Sequence, residues 1–533
     1  MRGNWLGHTT GLLATGALAA LVVVPLGAIL VRSFSGGSTS VPGFAGGPLA
    51  VLGDPYYLGR IGFTALQALL STILTVLVGL PSAVLLARYR FTGRRALTAA
   101  FTVPFVMPTV VAGMGFLALV GPNGVVGVDL RNTLAIVLAA HVFYNFAVVA
   151  RLVGGYLEGI GPRLEGAAAT LGAGPWRTLA RVTLPLALPA TLAAATLTFI
   201  FCFTSFGVIL ILAPAARFAT LEVEIYRLTA RLLQLDAAAT LAFAQLVIVG
   251  ALGLVYTRLQ ARLAVRVDQQ GAAVRRPGPG GTALLALDLL LIALLVLAPL
   301  AALVVQALLG HDGRFGLANF AAALDAPATI GFTSLGLAVR NSLTFAVISG
   351  ALAVSLGLVF SYAVARGGWR ALDLLSLLPL ATSPITLAFG YLISYPLLVT
   401  TVWGIPVAHA LIAFPFVTRT LLPALRSQPP DLAAAAATLG AGPLRTFLRV
   451  ELPLLAPSLA VATAFAFAIS LGEFGATLLL SRPEYATLST AIFDRLGRPG
   501  AANYGSALAL AVVLMTLTTV VMLALQRRVR TEF

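Results

Sequence analysis

Apolar runs long enough to cross a bilayer alternate with short polar stretches along the whole chain. In the first half the runs cover residues 11–31, 61–87, 97–120, 133–152, 188–212 and 237–256. In the second they cover 283–309, 341–365, 372–392, 405–422, 457–480 and 504–525. A crossing takes about 20 residues. The pattern therefore predicts an all-α polytopic membrane protein with about twelve transmembrane helices in two six-helix halves. The first run exceeds the apolar core of a secretory signal, about 7–15 residues, and reads as an uncleaved first helix. Pro104 and Pro108, and again Pro379 and Pro384, predict kinks in the third and ninth spans. A stretch bearing Gln, Arg, Pro and Gly separates the halves. It divides the chain into a first half (residues 1–258), a cytoplasmic linker (259–281) and a second half (282–533).

The halves repeat one another. Residues 167–190 read AAATLGAGPWRTLARVTLPLALPA, residues 435–458 read AAATLGAGPLRTFLRVELPLLAPS, and 17 of the 24 positions match at an offset of 268. The same offset relates His141 to His409 and Arg151 to Arg419. Residues 167–171 favour a short helix, and Gly172 fits the left-handed position that follows one. Pro175 then stops its continuation. Arg177 and Arg181, like Arg445 and Arg449, fall one turn apart on a helical face. Pro185 and Pro453 mark the return to the bilayer. Each copy thus predicts a pre-shaped projection, with Ala167 and Ala168, or Ala435 and Ala436, at its tip and cations along its flank. A solvated turn holding arginines at the headgroups is the plainer alternative, but it does not require the same Gly and Leu-Pro spacing twice.

On these residues each copy resembles the EAA loop of permease subunits in binding-protein-dependent ABC importers. That pattern runs Glu-Ala-Ala, three residues, Gly, nine residues, an aliphatic residue, one residue, Leu-Pro. Gly172 and Gly440, the spacer, Val182 and Val450, and both Leu-Pro pairs fit. The leading Glu does not: Gly166 and Ala434 hold its place, and Glu165 stands one residue early. A chain with two such loops, at about 165–189 and 431–457, is similar to the fused permeases for thiamine and ferric iron. The LGEFGA stretch at residues 471–476 also resembles the molybdate and sulfate permeases. The resemblance implies a type I-like permease in a bacterial plasma (inner) membrane. Its loops would seat in clefts of two copies of an ABC ATPase subunit, and an extracytoplasmic solute-binding protein would hand over the solute, with thiamine or ferric iron first. ATP is then used by the partner subunit, and no cofactor is expected on this chain.

Composition agrees. The chain is 59% hydrophobic and 10% charged, against roughly 25% charged in soluble domains. The net charge of +16 falls in clusters between apolar runs, which argues for a lipid bilayer and against a nucleic-acid groove. All 34 basic residues are arginine. A Walker A loop needs Gly-Lys-Ser/Thr, so a chain without lysine cannot carry one. The single Cys202 lies in an apolar run and makes no internal disulfide. With the amino terminus inside, 21 arginines fall in internal segments, Arg151 and Arg419 at the inner ends of spans bring the inner side to 23, and 11 fall outside. That bias predicts cytoplasmic termini and cytoplasmic loops. An even number of spans per half makes the repeat parallel rather than inverted.

Fewer residues carry chemistry within the spans. Two readings stand for Glu473, whose counterpart is Ser205. It lines the solute path, or it sits at the mouth of an external loop, solvated or paired with Arg482. His141 and His409 read as packing residues rather than a metal site. Gln67, Asn145 and Gln245 suit a cavity wall or interhelical hydrogen bonds equally. Glu222 and Glu224 beside Arg227 read as a solvated external face first and a receptor contact second. The function classes to weigh are the importer permease and a twelve-span secondary transporter driven by an ion gradient. The scarcity of ionisable residues in the spans and the doubled projection favour the importer. No paired acid and base, metal-ligand cluster or nucleotide motif supports an enzyme.

Overall fold

Hydrocarbon offers no partner to an unpaired amide or carbonyl, so spanning segments close their hydrogen bonds internally. The computed structural model describes residues 5–35, 47–94, 97, 101, 103–104, 107–160, 163–264, 277–310, 313–325, 334–369, 372–373 and 378–530. Among them the chain is helical, and a lone bridge joins Leu309 to Phe315. The first half contains α1 (Leu6–Ser35), α2 (Pro55–Arg88), α3 (Thr109–Val120), α4 (Leu134–Ile160), α5 (Arg163–Thr170), α6 (Pro175–Phe203), α7 (Gly207–Leu212), α8 (Leu221–Ala230) and α9 (Leu235–Ala264). The second contains α10 (Pro279–Leu308), α11 (Leu335–Arg366), α12 (Pro384–Ser394), α13 (Gly404–Arg426), α14 (Pro430–Thr438), α15 (Pro443–Leu454), α16 (Ala456–Gly472), α17 (Gly475–Leu480), α18 (Leu488–Leu496) and α19 (Ala501–Arg530).

Nine of the described helices are long and apolar enough to cross a membrane. α15 and α16, bent by 73° at Leu455, make a tenth span if taken together. The other two predicted spans appear as α3 and α12, of 12 and 11 residues. Of the stretches preceding these two helices, 98–100, 102, 105–106 and 374–377 lie outside the described residues, and Leu378–Ala381 forms a separate short helix. Their prolines start helices rather than kinking them: Pro108 is the cap residue of α3 and Pro384 the first residue of α12. A proline costs no hydrogen bond at the first turn, where its missing N–H has no helical partner.

Two runs expected to be continuous are broken instead. Residues 188–212 stop at Phe203 and resume as α7, while 457–480 stop at Gly472 and resume as α17. Apolar length alone cannot distinguish a straight span from one interrupted inside the protein. The linker is also shorter than expected, since α9 reaches Ala264 and α10 starts at Pro279, with 265–276 outside the described residues.

The first helix of each half packs against the other half. α1 contains a π-helical turn at Ala19–Val23, followed by Pro25. The missing Pro25 N–H releases the carbonyl of Leu21, four residues earlier. Second-half hydroxyls satisfy this stretch: Tyr391 donates to the Leu21 carbonyl at 2.8 Å and Tyr395 to that of Ala20 at 2.6 Å. α1 runs on against α11 and α12, and α10 reciprocally packs against α3. Each crossing rests on a glycine. A Cβ on Gly390 would come 2.9 Å from Pro25 Cβ, and one on Gly115 would come 2.9 Å from the Pro299 carbonyl oxygen. Away from these contacts α10 exposes Leu287, Leu290, Leu291, Leu294 and Leu297, a helical stripe suited to acyl chains.

Valine at either close-approach glycine is therefore expected to push the crossed helix away. Overpacking of this kind costs about 1–3 kcal/mol. Gly115→Val and Gly390→Val should each lower the thermal unfolding midpoint of the detergent-purified chain. Gly253→Val, where a Cβ meets nothing within 4 Å, should not. Equal midpoints for all three would mean that the crossing tolerates side chains.

Candidate functional sites: the repeated loops and the cavity between the halves

Both repeated loops fold alike. Gly172 has φ +80° and Gly440 φ +79°, the region open to glycine at little cost. In the first copy the Ala173 amide donates to the Ala168 carbonyl and the Gly172 amide to that of Ala169, both at 3.0 Å. In the second, Ala441 donates to Ala436 and Gly440 to Ala437, also both at 3.0 Å. This pair of bonds, closing a helix through a left-handed residue, is the Schellman arrangement. Ala167 and Ala435 accept from the hydroxyls of Thr170 and Thr438 at 2.8 and 2.7 Å. Beyond the turns, Pro175 and Pro443 open the next helices. Arg177, Arg181, Arg445 and Arg449 are exposed along those helices, as are Pro185 and Pro453. At the tips Leu171 is 88% exposed, Leu439 89% and Trp176 70%.

Glu165 is not an exposed lead residue for the loop. Its Oε1 lies 2.8 Å from the Arg88 guanidinium and accepts from Thr183 Oγ1 at 2.6 Å. Arginines after the second span thus hold carboxylates near the loop, and Arg94 likewise pairs with Glu158. In the second half Arg366, at the end of α11, donates to Glu451 at 2.9 Å.

The helix breaks after α6 and α16 face a cavity of about 320 Å³ between the halves. Irregular backbone at membrane depth is tolerated where it lines a cavity or is buried in protein. Phe206 and Phe474, related by the 268-residue offset (206 + 268 = 474), stack across the junction with centroids 5.8 Å apart and planes at 27°. From the first half His141, Tyr144, Asn145, Thr204 and Ser205 reach the cavity. The second half contributes Phe416, Phe465, Ile469 and Glu473.

The two buried histidines hold these walls. His141 places Nδ1 2.8 Å from Ser71 Oγ and Nε2 2.9 Å from Ser205 Oγ. His409 places Nδ1 2.8 Å from Ser470 Oγ and Nε2 2.7 Å from Thr477 Oγ1. Glu473, 8% exposed, stands 3.3 Å from His409 Nε2. Its carboxylate accepts from the amides of Ala476 and Thr477 at 3.1 and 3.0 Å, capping the start of α17, where a negative group suits the free amides.

Two segments of the chain, 76–269 and 357–531, match the family model "Binding-protein-dependent transport system inner membrane component". The chain belongs to this family. The thiamine transport system permease protein ThiP of Brucella abortus (strain 2308) is 29% identical over 508 residues, covering 90% of this chain and 89% of that protein. ThiP of Escherichia coli (strain K12) is also 29% identical, covering 84% and 85%. The sulfate transport system permease protein CysT of Escherichia coli (strain K12) is 33% identical over 226 residues, covering 41% of this chain and 81% of that protein. One solved chain, from a bacterial ABC transporter involved in the import of the acidic polysaccharide alginate, covers 49% of this chain and 96% of its own at 17% identity. Its TM-score is 0.40, a likeness too slight to argue from.

Within this inner-membrane permease several residues sit differently from the sequence reading. Glu473 is neither solvated nor bonded to Arg482; it joins Ser205 at the cavity, with His409 and the Thr477 hydroxyl as its side-chain partners. His141 and His409 do more than pack, since both ring nitrogens of each are engaged. Gln67 donates to the Cys202 carbonyl at 2.8 Å and Gln245 to Glu222, so both tie helices together, whereas Asn145 reaches the cavity. Glu222 and Glu224 do not form a solvated face. Both are fully buried, with Gln245 on Glu222 and with Arg227 and the Tyr56 hydroxyl on Glu224. Their polarity concealed this, because a buried ion pair and a wet face read alike in sequence. Phe206 and Phe474 were missed, although their shared offset and adjoining glycines were visible.

Glu473→Gln leaves one acceptor oxygen for donors that now share two. An amide in the first turn of α17 then goes unpaired, at about 1–3 kcal/mol when buried. Uptake should fall while assembly with the ATPase is retained, as read by transport and co-purification. Unchanged uptake would confine Glu473 to capping α17.

Proposed function

We propose that this permease imports thiamine, handed over by an extracytoplasmic binding protein and driven by two copies of an ATPase subunit seated on the two repeated loops. The observation that carries the reading is the doubled Schellman-closed loop in a chain whose relatives at 29% identity over 90% of its length are named thiamine permeases. Family membership removes support from a gradient-driven transporter, and the relatives' names favour thiamine over ferric iron. The cavity adds chemical support. Thiamine is a cation with two flat heterocycles, and among the described residues the cavity offers ring faces and one carboxylate with no arginine in its lining. Cations sit favourably over aromatic faces. A sulfate site would call for charge-assisted donors instead. The arginine bias, 21 in internal loops and termini against 11 outside, supports loops and termini on the cytoplasmic side. The Phe206–Phe474 stack, on the far side of α6 and α16 from the loops, then closes the outer end of the path. With no lysine in the chain, ATP is hydrolysed by the partner.

The test is labelled thiamine uptake into proteoliposomes holding the permease with its cognate ATPase and binding protein. Uptake should need ATP, and excess unlabelled thiamine should compete where sulfate does not. ATP-dependent sulfate uptake without thiamine uptake would overturn the assignment of solute.

The loops give a separate expectation. A β-branched residue at φ near +80° is strained by about 1–3 kcal/mol. Gly172→Val and Gly440→Val should each weaken ATPase co-purification, and the double variant should abolish it, at normal membrane abundance. Full ATPase retention by the double variant would mean that these loops are not the docking elements.

A further inference from the structure

Each half ends its second span in an arginine that meets a carboxylate beside the repeated loop, but the two carboxylates come from different places in the sequence. In the first half the acid is Glu165, on α5 before the glycine turn. Arg88 Nε and Nη2 both lie 2.8 Å from its Oε1, and Arg88 Nη1 donates to the Leu157 carbonyl at 3.1 Å. In the second half the place of Glu165 is taken by Ala433 (165 + 268), and the acid is Glu451 on α15, after the glycine turn. Glu451 occupies the counterpart of Thr183 (183 + 268 = 451). Thr183 and Glu451 end the same π-helical turn in their halves, Leu179–Thr183 and Phe447–Glu451. In the first half Thr183 already touches the pair, its hydroxyl 2.6 Å from the Glu165 oxygen that Arg88 holds. A carboxylate at 183 would therefore lie within reach of Arg88. The acid has changed position while the contact has been kept.

The arginines stand at the inner ends of α2 and α11. α2 also carries Ser71, 17 residues before Arg88 (88 − 71), or about 25 Å along a helix. Ser71 bonds His141, which bonds Ser205 at the cavity. One helix, continuous through Pro81, thus links the loop pair to the cavity wall. We propose that Arg88–Glu165 and Arg366–Glu451 are interchangeable latches, positioning pairs that fix each repeated loop to the second span of its half so that loop movement reaches the cavity. The proposal rests on the importer reading above.

The exchange itself is the test. The variants are Glu165→Ala, Glu451→Thr, and the relocations Glu165→Ala/Thr183→Glu and Ala433→Glu/Glu451→Thr, each in the full permease–ATPase complex with binding protein. Single variants should retain the ATPase yet import less thiamine per ATP hydrolysed, by about 5- to 150-fold, the usual span of coupling between sites. Relocations should restore the ratio. A wild-type ratio in the single variants, or relocations as defective as the singles, would overturn the proposal. Where a single variant fails to accumulate, its relocation decides alone: recovery of abundance and ratio supports the latch, and failure refutes it. The thermal midpoint of the purified chain should follow the same loss and recovery. If that pattern holds while the wild-type complex moves no thiamine, the importer reading fails and the exchangeable pairs stand.

Discussion

A backbone group freed inside a bilayer has nowhere to turn but the protein, and this permease is arranged around the places where groups are freed. Pro25 releases a carbonyl, and a tyrosine from the opposite half takes it. The break after α16 frees the first amides of α17, and Glu473 takes those. Such breaks survive only where side chains converge, so the interruption of the two spans and the location of the cavity are a single fact. The histidines follow from the same need. Each bridges hydroxyls from neighbouring segments and leaves neither ring nitrogen idle.

Fusing the halves frees each position from having to serve twice. In a homodimer a carboxylate at the Glu473 position would face its own copy across the axis, and like charges at close range repel. Here serine faces glutamate, so one wall carries an acid and the other hydroxyls and amides. Near the membrane surface the same freedom let the acid beside Arg88 and Arg366 settle on opposite sides of the turn. The bend at Leu455, without a match in the continuous α6, extends the asymmetry to the backbone.

Helical class, duplication and loop shape were legible because each follows from local chemistry. Apolar length reports a crossing, and a glycine before a proline-led helix reports a left-handed turn. What escaped depended on partners remote in sequence. Residues 188–212 and 457–480 are apolar enough to read as single spans, and nothing in either alone says that the helix stops there and that Phe206 meets Phe474. Glu222 looked wet because Gln245 lies on another helix. The departure of Glu165 from the family pattern was visible, but its meaning needed Arg88, 77 residues away.

The crossing of the first helices also sets a schedule for synthesis. Tyr391 follows Leu21 by 370 residues. At about 5–20 residues per second, the amino-terminal helix waits roughly 20–75 s after emerging before the hydroxyl that satisfies its open carbonyl exists. Throughout that interval its π-helical turn must lean on lipid headgroups, water or the insertion machinery. Assembly thus includes a clasp made backwards across the nascent chain, and the amino-terminal half cannot reach its final form before synthesis has passed Tyr391 in the carboxy-terminal half.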